Sequence, residues 1–256
     1  MTMNTRARKE FILNELSVKG RVFVLDLSEQ MNVSIETARR DIKALSDENL
    51  LKRIHGGAVK TTSAFEASFK ERLSTNLNKK KAIGLKAKEL LHPGLSLFID
   101  CGSTTLAFAS TLNDIENLTV ITNSPRIAKS VWEANNSTKI YMLGGEYRGE
   151  TFQNIGGRVI RQIEEFNTDI AIIGAGGISL TDGISASSIE EAEIAKAMIN
   201  NSESNIVLAD KSKLNNKSLC KIAGLDNIDN IIIDNISESQ VNEFKSRNIN
   251  VINIKI

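Results

Sequence analysis

The sequence predicts an α/β protein in two parts, a small N-terminal domain of helices with one hairpin and a larger domain with a mainly parallel sheet. Two patterns predict this division. Short amphipathic segments and a Gly-Gly turn occupy the first 60 residues, and from residue 95 onward short apolar strands alternate with helical segments. Such alternation is typical of parallel sheets that helices cover on both faces. We expect residues 1–60 to form the first domain, residues 61–78 a linker and residues 79–256 the second domain.

Composition excludes several classes of protein. No stretch of the chain approaches the roughly 20 apolar residues of a membrane span, and the first residues lack the apolar core of a signal peptide. The two cysteines, Cys101 and Cys220, cannot form a disulfide framework and predict free thiols in a reducing cytoplasm. With His55 and His92 as the only histidines, we expect no metal site and no cofactor. These features predict a cytoplasmic protein without a membrane partner.

The net charge of +1 conceals an asymmetry between the two ends of the chain. Residues 1–90 hold 18 Lys and Arg against 11 Asp and Glu, whereas residues 91–256 hold 14 against 20. A basic N-terminal part suggests a polyanionic partner for that part alone. Ordinary solvated surface charge explains the same numbers, so the motifs must decide.

Two helices and a turn precede the most informative segment. We expect Thr5 to cap the first helix and Gly20 to end it. The second helix is predicted over Val24–Gln30, with Leu25 and Leu27 facing inward. A tight turn follows it.

The third predicted helix runs from Ile35 to about residue 48 and is amphipathic. Ser34 is placed to cap it, and Ala38, Ile42 and Leu45 share one face with Ile35. The opposite face is polar and cationic, so its side chains suit contacts with base edges and phosphates. Two helices joined by a short turn, the second of them cationic outside, predict a helix-turn-helix. A surface helix in any small bundle is the alternative at this point.

A cationic hairpin is predicted directly after this helix, over residues 50–60. Gly56-Gly57 forms its turn, and Lys52, Arg53 and His55 lie near its tip. A basic hairpin beside a recognition helix predicts a winged helix-turn-helix that binds DNA, although Gly-Gly is also an ordinary turn. The predicted DNA contacts are Ser34, Glu36, Thr37, Arg39, Arg40, Lys43, Arg53 and His55.

Two strings in this region resemble the DeoR/GlpR family of bacterial regulators. They are Thr37-Ala38-Arg39-Arg40-Asp41 and Arg53-Ile54-His55-Gly56-Gly57-Ala58. One departure is Ala38, where the family usually has an apolar β-branched residue. Residues 65–72 are similar to the connecting segment of the family, and residues 61–63 are polar and expected to lack structure.

Seven short apolar strands are predicted in the second domain. They span residues 95–100, 118–122, 139–143, 169–173, 205–209, 230–233 and 250–254. A helix before the first strand begins at Lys79-Lys80-Lys81, which we expect to be solvated, and stops at Pro93-Gly94. Ser188-Ile189-Glu190-Glu191 predicts a capping box for a helix over Ile189–Asn200.

Glycines and small polar residues follow five of these strands, at residues 100–105, 122–124, 144–147, 174–177 and 210–213. In an open α/β sheet, ligands bind beyond the carboxyl ends of the strands. We therefore expect the five loops to converge on one pocket.

The chemistry of these loops suits a phosphorylated ligand. Gly102-Ser103-Thr104-Thr105 opens a predicted helix, whose N–H groups and hydroxyls could cradle a phosphate that Lys213 also contacts. Asp100 and Asp210 could accept hydrogen bonds from sugar hydroxyls. A plain helix cap and a structural Asp210–Lys213 ion pair are the alternatives. The predicted effector contacts are Asp100, Gly102, Ser103, Thr104, Thr105, Asn123, Gly144, Gly145, Gly174, Asp210 and Lys213.

The resemblance to the DeoR/GlpR family continues through these same strand exits, so it covers nearly the whole chain. It implies a sensor domain similar to ribose-phosphate isomerase and glucosamine-phosphate deaminase folds. Members typically repress sugar-utilisation operons and respond to a phosphorylated sugar. The resemblance therefore implies operator DNA and a phosphorylated sugar as partners.

Two alternatives remain at this stage. The chain could be an isomerase-like enzyme with an accessory DNA-binding domain, drawing on carboxylates such as Asp100, Asp169 and Glu190, but no motif marks a catalytic base. It could also be an architectural protein that senses nothing, which the dense polar strand exits argue against. Because one winged helix buries too little surface for tight binding, we expect a homodimer or homotetramer.

Overall fold

The computed structural model describes residues 3–47, 50–59 and 67–256. The chain divides into two compact units, Met1–Phe65 and Glu66–Ile256. The predicted domain limits at residues 60 and 78 stay predictions. Residues 61–63, expected to lack structure, lie outside the described residues.

The first unit is a helix-turn-helix with a three-stranded wing. Its elements are α1 (Thr5–Lys19), β1 (Arg21–Phe23), α2 (Val24–Gln30), α3 (Ile35–Asp47), β2 (Lys52–Ile54) and β3 (Gly57–Val59). The strands pair antiparallel in the order β1-β3-β2, so the predicted hairpin is confirmed and β1 is an addition. At Gly57 a Cβ atom would lie 2.1 Å from the Val22 carbonyl oxygen, so glycine is what lets β1 and β3 approach.

Two local predictions in this unit are wrong. The cap of α1 is Asn4, whose side chain accepts from the backbone one turn on, and not Thr5. Leu25 is 60% exposed, because the inward face of α2 contains Leu27 and not Leu25. Ile35 is 41% exposed because it opens α3, at the end of the apolar face.

The second unit contains one large sheet, two small ones and seven α-helices in its described part. The helices are α4 (Phe69–Ser74), α5 (Leu77–Lys88), α6 (Ser103–Ala109), α7 (Pro125–Ala134), α8 (Gly157–Ile163), α9 (Ile189–Asn200) and α10 (Glu238–Lys245). The strands are β4 (Ser96–Ile99), β5 (Thr119–Thr122), β6 (Lys139–Met142), β7 (Glu146–Arg148), β8 (Gln153–Ile155), β9 (Thr168–Gly174), β10 (Gly177–Ser179), β11 (Gly183–Ala186), β12 (Ser202–Ala209), β13 (Cys220–Ala223), β14 (Asn230–Asp234) and β15 (Asn250–Ile254). Over the described residues, none of the helices combines the length and apolar character that crossing a membrane requires.

The large sheet confirms the mainly parallel α/β fold. Its order is β15-β14-β12-β9-β4-β5-β6, all pairs are parallel, and these are the seven predicted strands. Neighbouring residues of one strand enter different apolar clusters: Phe98 belongs to the cluster that contains Phe244, and Leu97 to the one that contains Phe108. Helices therefore cover both faces, as the apolar strands predicted.

A buried lysine at the start of α5 corrects another prediction. Lys81 is exposed, but Lys80 is only 3% exposed. Asn76, with φ of 56°, turns the chain sharply between α4 and α5. The Lys80 ammonium consequently reaches the end of α4 and donates to the Arg72 and Thr75 carbonyl oxygens.

Candidate DNA-contact face and ligand cleft

The outer face of α3 is cationic. Glu36, Arg39, Arg40 and Lys43 are exposed, and the Arg39 guanidinium lies 3.8 Å from the Glu36 carboxylate. Two more predicted contacts, the wing residues Arg53 and His55, are also exposed.

Ser34 and Thr37 have a structural role at the start of α3. The Ser34 hydroxyl accepts from the Thr37 N–H at 3.2 Å, so it caps the helix as predicted. The two hydroxyl oxygens lie 2.9 Å apart. Any contact of these two residues with DNA stays a prediction, as it does for the rest of the face.

The aspartate of the Thr-x-Arg-Arg-Asp string faces the other way. Asp41 is 4% exposed, and its carboxylate accepts from Arg8 Nε at 2.6 Å and Arg8 Nη2 at 3.3 Å. These bonds raise the pKa of the Arg8 guanidinium and join α1 to α3. The helical wheel places Asp41 beside Ala38, Ile42 and Leu45, and that position is the signal that could have revealed its structural role.

A polar cleft lies in the second unit where β4 and β9 end. It holds about 500 Å³, including space open to solvent. Six of the predicted effector contacts line it: Asp100, Gly102, Ser103, Thr104, Gly174 and Lys213. Three of the five predicted loops thus meet at this cleft, as expected for a ligand site beyond the carboxyl ends of the strands.

Two residues with hydroxyl groups, Ser103 and Thr104, line this cleft. Ser103 and Thr104 are each 8% exposed. Within the described part of the chain, neither hydroxyl has a hydrogen-bond partner. Because α6, which they open, has only seven residues, the side chains rather than a helix terminus are the basis for an anion site here.

The other five predicted contacts do not line the cleft. The Thr105 hydroxyl donates to the Asp100 carbonyl at 2.6 Å. The Asp210 carboxylate accepts from the Ser212 N–H at 3.0 Å and from the Asn76 amide at 3.3 Å. Both side chains thus hold local structure, and an effector role for them stays a prediction.

Asn123, Gly144 and Gly145 belong to the loops that follow β5 and β6. The Asn123 amide donates to the Asn154 carbonyl at 2.9 Å, and its buried Oδ1 has no partner in the described part of the structure. Gly144 donates to Gln162 at 3.1 Å. At Gly145 a Cβ atom would lie 2.7 Å from Val159, so this glycine permits close packing. Their predicted ligand contacts are likewise untested.

Opposite charges meet in the cleft. Burial is the main cause that raises the pKa of Asp100 to about 7, and repulsion from the Glu191 carboxylate is the second. The positive charge of Arg72 acts in the opposite direction and lowers this pKa. Burial and the neighbouring Asp100 carboxylate raise the pKa of the Cys101 thiol to about 12, so this thiol stays protonated. The cations in the cleft lining are Arg72 and Lys213.

Sequence reasoning missed two charged residues of the cleft. Ser188 caps α9, accepting from the Glu191 N–H at 3.3 Å, which is one half of the predicted capping box. The Glu191 carboxylate, however, accepts from Gln153 Nε2 at 3.1 Å and lines the cleft. Arg72 comes from α4, inside the predicted linker, and no spacing in the sequence distinguishes it from nearby solvated cations.

These two sites define a class of protein: a DNA-binding regulator with a helix-turn-helix domain and a separate ligand-sensing domain. Residues 8–64 match the DeoR-like helix-turn-helix domain, and residues 75–235 match the DeoR C terminal sensor domain. The chain belongs to the DeoR family of transcriptional regulators, which confirms the predicted resemblance and makes it a regulator rather than an enzyme. These domains imply operator DNA and a small effector as partners.

Relatives match this chain over most of its length. The HTH-type transcriptional repressor GlcR of Bacillus subtilis is 34% identical, over 93% of this chain and 91% of its own. The putative aga operon transcriptional repressor of Escherichia coli O157:H7 is 31% identical, over 90% and 86%. Ribose 5-phosphate isomerase A of Methanocaldococcus jannaschii is 20% identical over 54% of this chain and 55% of its own, with a TM-score of 0.40, which is too weak a similarity to assign a function.

Proposed function

We propose that this protein represses a sugar-utilisation operon and that a phosphorylated sugar in the cleft controls its operator binding. The observation that carries the proposal is the pair of hydroxyls of Ser103 and Thr104, which lack a protein partner in the described structure and line a cleft that also contains Arg72 and Lys213. Hydroxyl donors and cations together suit a phosphate. Two relatives that are named as repressors, GlcR and the putative aga operon transcriptional repressor, support the repressor assignment.

The remaining lining suits the sugar. The carboxylates of Asp100 and Glu191 can accept hydrogen bonds from sugar hydroxyls. A dinucleotide is disfavoured because Gly174-Ala175-Gly176-Gly177 lacks the GxGxxG spacing.

On the DNA side, the proposal requires two recognition helices. A homodimer or homotetramer would place two copies of α3 on a palindromic operator, about one helical turn apart or a multiple of it. Effector binding would act through residues 61–78 on the placement of these helices. Coupling between two such sites is typically worth about 5–150-fold in affinity.

Replacing Arg40 with alanine should weaken binding to the preferred operator by about 1–3 kcal/mol and relax sequence preference, because an exposed arginine at the centre of the recognition helix suits a bidentate contact with guanine. Titration of the operator and of several single-base variants measures both effects. Replacing Arg53, assigned to a phosphate, should instead weaken all sequences alike and flatten the salt dependence.

Arg6→Ala is the matched control, because Arg6 is an exposed arginine of α1 outside the predicted interface. Wild-type affinity and selectivity in Arg40→Ala would remove Arg40 from the base contacts.

Thr104→Ala and Lys213→Ala should each require at least about tenfold more sugar phosphate to change operator binding, since each removes a hydrogen bond to a charged group. The measurement is operator titration at increasing concentrations of glucose 6-phosphate, fructose 1-phosphate and ribose 5-phosphate.

Lys211→Ala is the control for this pair. Lys211 is exposed, lies two residues from Lys213 in the same short 3-10 helix, Lys211–Lys213, and carries the same charge. A normal effector response in both cleft variants would remove the proposed site.

A further inference from the structure

We infer that Arg72 binds the phosphate of the effector and that this contact makes α4 the element through which effector occupancy reaches the DNA-binding unit. The inference rests on the proposed function, because it needs an anionic effector in this cleft. It adds a residue and a route of regulation for that site.

The position of α4 in the chain is the first argument. α4 is the first helix after the segment that joins the two units, which divide after Phe65. Any displacement of α4 therefore acts directly on that segment. Among the residues that the structure describes, no other lining residue of the cleft comes from before β4.

Contacts hold α4 firmly at its C-terminal end. The buried Lys80 ammonium donates to the carbonyl oxygens of Arg72 and Thr75. One residue further, the Asn76 amide donates to the Asp210 carboxylate at 3.3 Å. This end of the helix is thus tied to α5 and to the loop that follows β12.

The N-terminal end of α4 is held by a cap and by aromatic contacts. Ser68 and Glu71 form a capping box, which is internal to the helix. Phe69 is 4% exposed and packs on Phe152, with ring centroids 6.1 Å apart. Arg72, one turn after Phe69, is the residue of α4 that lines the cleft, and it carries a positive charge.

The chemistry of Arg72 suits a switch. Its guanidinium lies 5.3 Å from the centre of the Phe69 ring, so the cation packs on the aromatic anchor of the same helix. In the cleft it stands among Asp100 and Glu191. A phosphate offers a guanidinium two parallel hydrogen bonds, which a lysine ammonium cannot reproduce. Effector binding would therefore add a phosphate contact to Arg72 beside these carboxylates and fix the position of α4 against the cleft.

The test separates effector affinity from coupling. Calorimetry gives the affinity of Arg72→Gln, Arg72→Lys and Lys213→Ala for the sugar phosphate that acts on the wild type, chosen from glucose 6-phosphate, fructose 1-phosphate and ribose 5-phosphate. Operator titration at saturating effector then gives the coupling. Lys70→Gln is the control, since Lys70 is an exposed cation of the same helix. Fluorescence of Trp132, the single tryptophan, verifies that the second unit of each variant is folded.

We expect Arg72→Gln to bind the effector about 10–100-fold more weakly and, when saturated, to show little change in operator affinity. Arg72→Lys should recover part of the affinity and little of the coupling. Lys213→Ala should lose affinity but keep wild-type coupling at saturation, and Lys70→Gln should behave as the wild type. Full coupling in saturated Arg72→Gln, or its unchanged affinity, overturns the inference and leaves the proposed function standing. A wild type that responds to no sugar phosphate overturns both.

Discussion

Replacing Lys80 with methionine should lower the free energy of unfolding of the sensor domain by about 3 kcal/mol, because two charge-assisted hydrogen bonds are lost. The Lys80 ammonium serves carbonyl oxygens at the end of α4, where helices leave such groups without internal partners. Methionine fills a similar volume but donates no hydrogen bond. The two carbonyl groups would then lose these partners while they stay buried, which lowers stability.

Urea unfolding followed by Trp132 fluorescence measures this change. Trp132 lies in α7, so the signal reports the sensor domain and not the helix-turn-helix. Lys81→Met is the control: it changes the same residue type at the next position, where the side chain is exposed. Equal stability of the two variants would show that the buried ammonium contributes nothing.

Replacing Asp100 with asparagine should stabilise the sensor domain at neutral pH, by about 2–4 kcal/mol. The physical reason is the burial of the carboxylate, together with the nearby Glu191, which raises the pKa of Asp100 to about 7 in the folded protein. In the unfolded chain the same group titrates near its ordinary value of about 4.

The sign of the pH dependence follows from these two values. Between about pH 4 and 7 the folded protein binds the proton more tightly than the unfolded chain does, so wild-type stability falls as the pH rises through this window. Asparagine has no charge to bury. The stability advantage of Asp100→Asn should therefore be small near pH 4 and grow until it levels off above pH 7.

Urea unfolding of both proteins at several pH values from 4 to 8 tests this prediction. Asp226→Asn, which alters an exposed aspartate of the same domain, should follow the wild type throughout. Parallel curves for wild type and Asp100→Asn would mean that Asp100 is not buried as a charge.

The large features of the fold were predictable because they depend on local patterns. Each central strand is a short apolar run with polar residues at its exit, and α3 has a clear apolar face. β1, β7, β8, β10, β11 and β13 were missed because none of them is an apolar run like the strands of the large sheet. Such strands exist through pairing with distant partners, as Ala186 of β11 pairs with Cys220 of β13.

Single polar residues were harder to place because their burial depends on tertiary contacts. Three consecutive lysines look alike in a sequence, and only the corner at Asn76 separates the buried Lys80 from its neighbours. In the same way, Asp210 and Lys213 both follow β12. The Asp210 carboxylate accepts a hydrogen bond within the turn, whereas Lys213 lines the cleft.

The residues of the candidate site were also predictable only in part. The rule for strand exits found Asp100, Gly102–Thr104 and Gly174, because parallel strands end at one edge of the sheet. Arg72 and Glu191 were missed because they come from helices before and beside the sheet, where the rule gives no information.

The most direct test of the central claim compares phosphorylated sugars with their unphosphorylated counterparts. The operator is first selected from random DNA by the full-length protein. Its affinity is then measured with glucose 6-phosphate, fructose 1-phosphate and ribose 5-phosphate, and with glucose, fructose and ribose. We expect at least one phosphorylated sugar to change operator affinity by about 5–150-fold while its unphosphorylated form has no effect. Unchanged affinity with every compound, or equal effects of a sugar and its phosphate, would contradict a phosphate-sensing cleft.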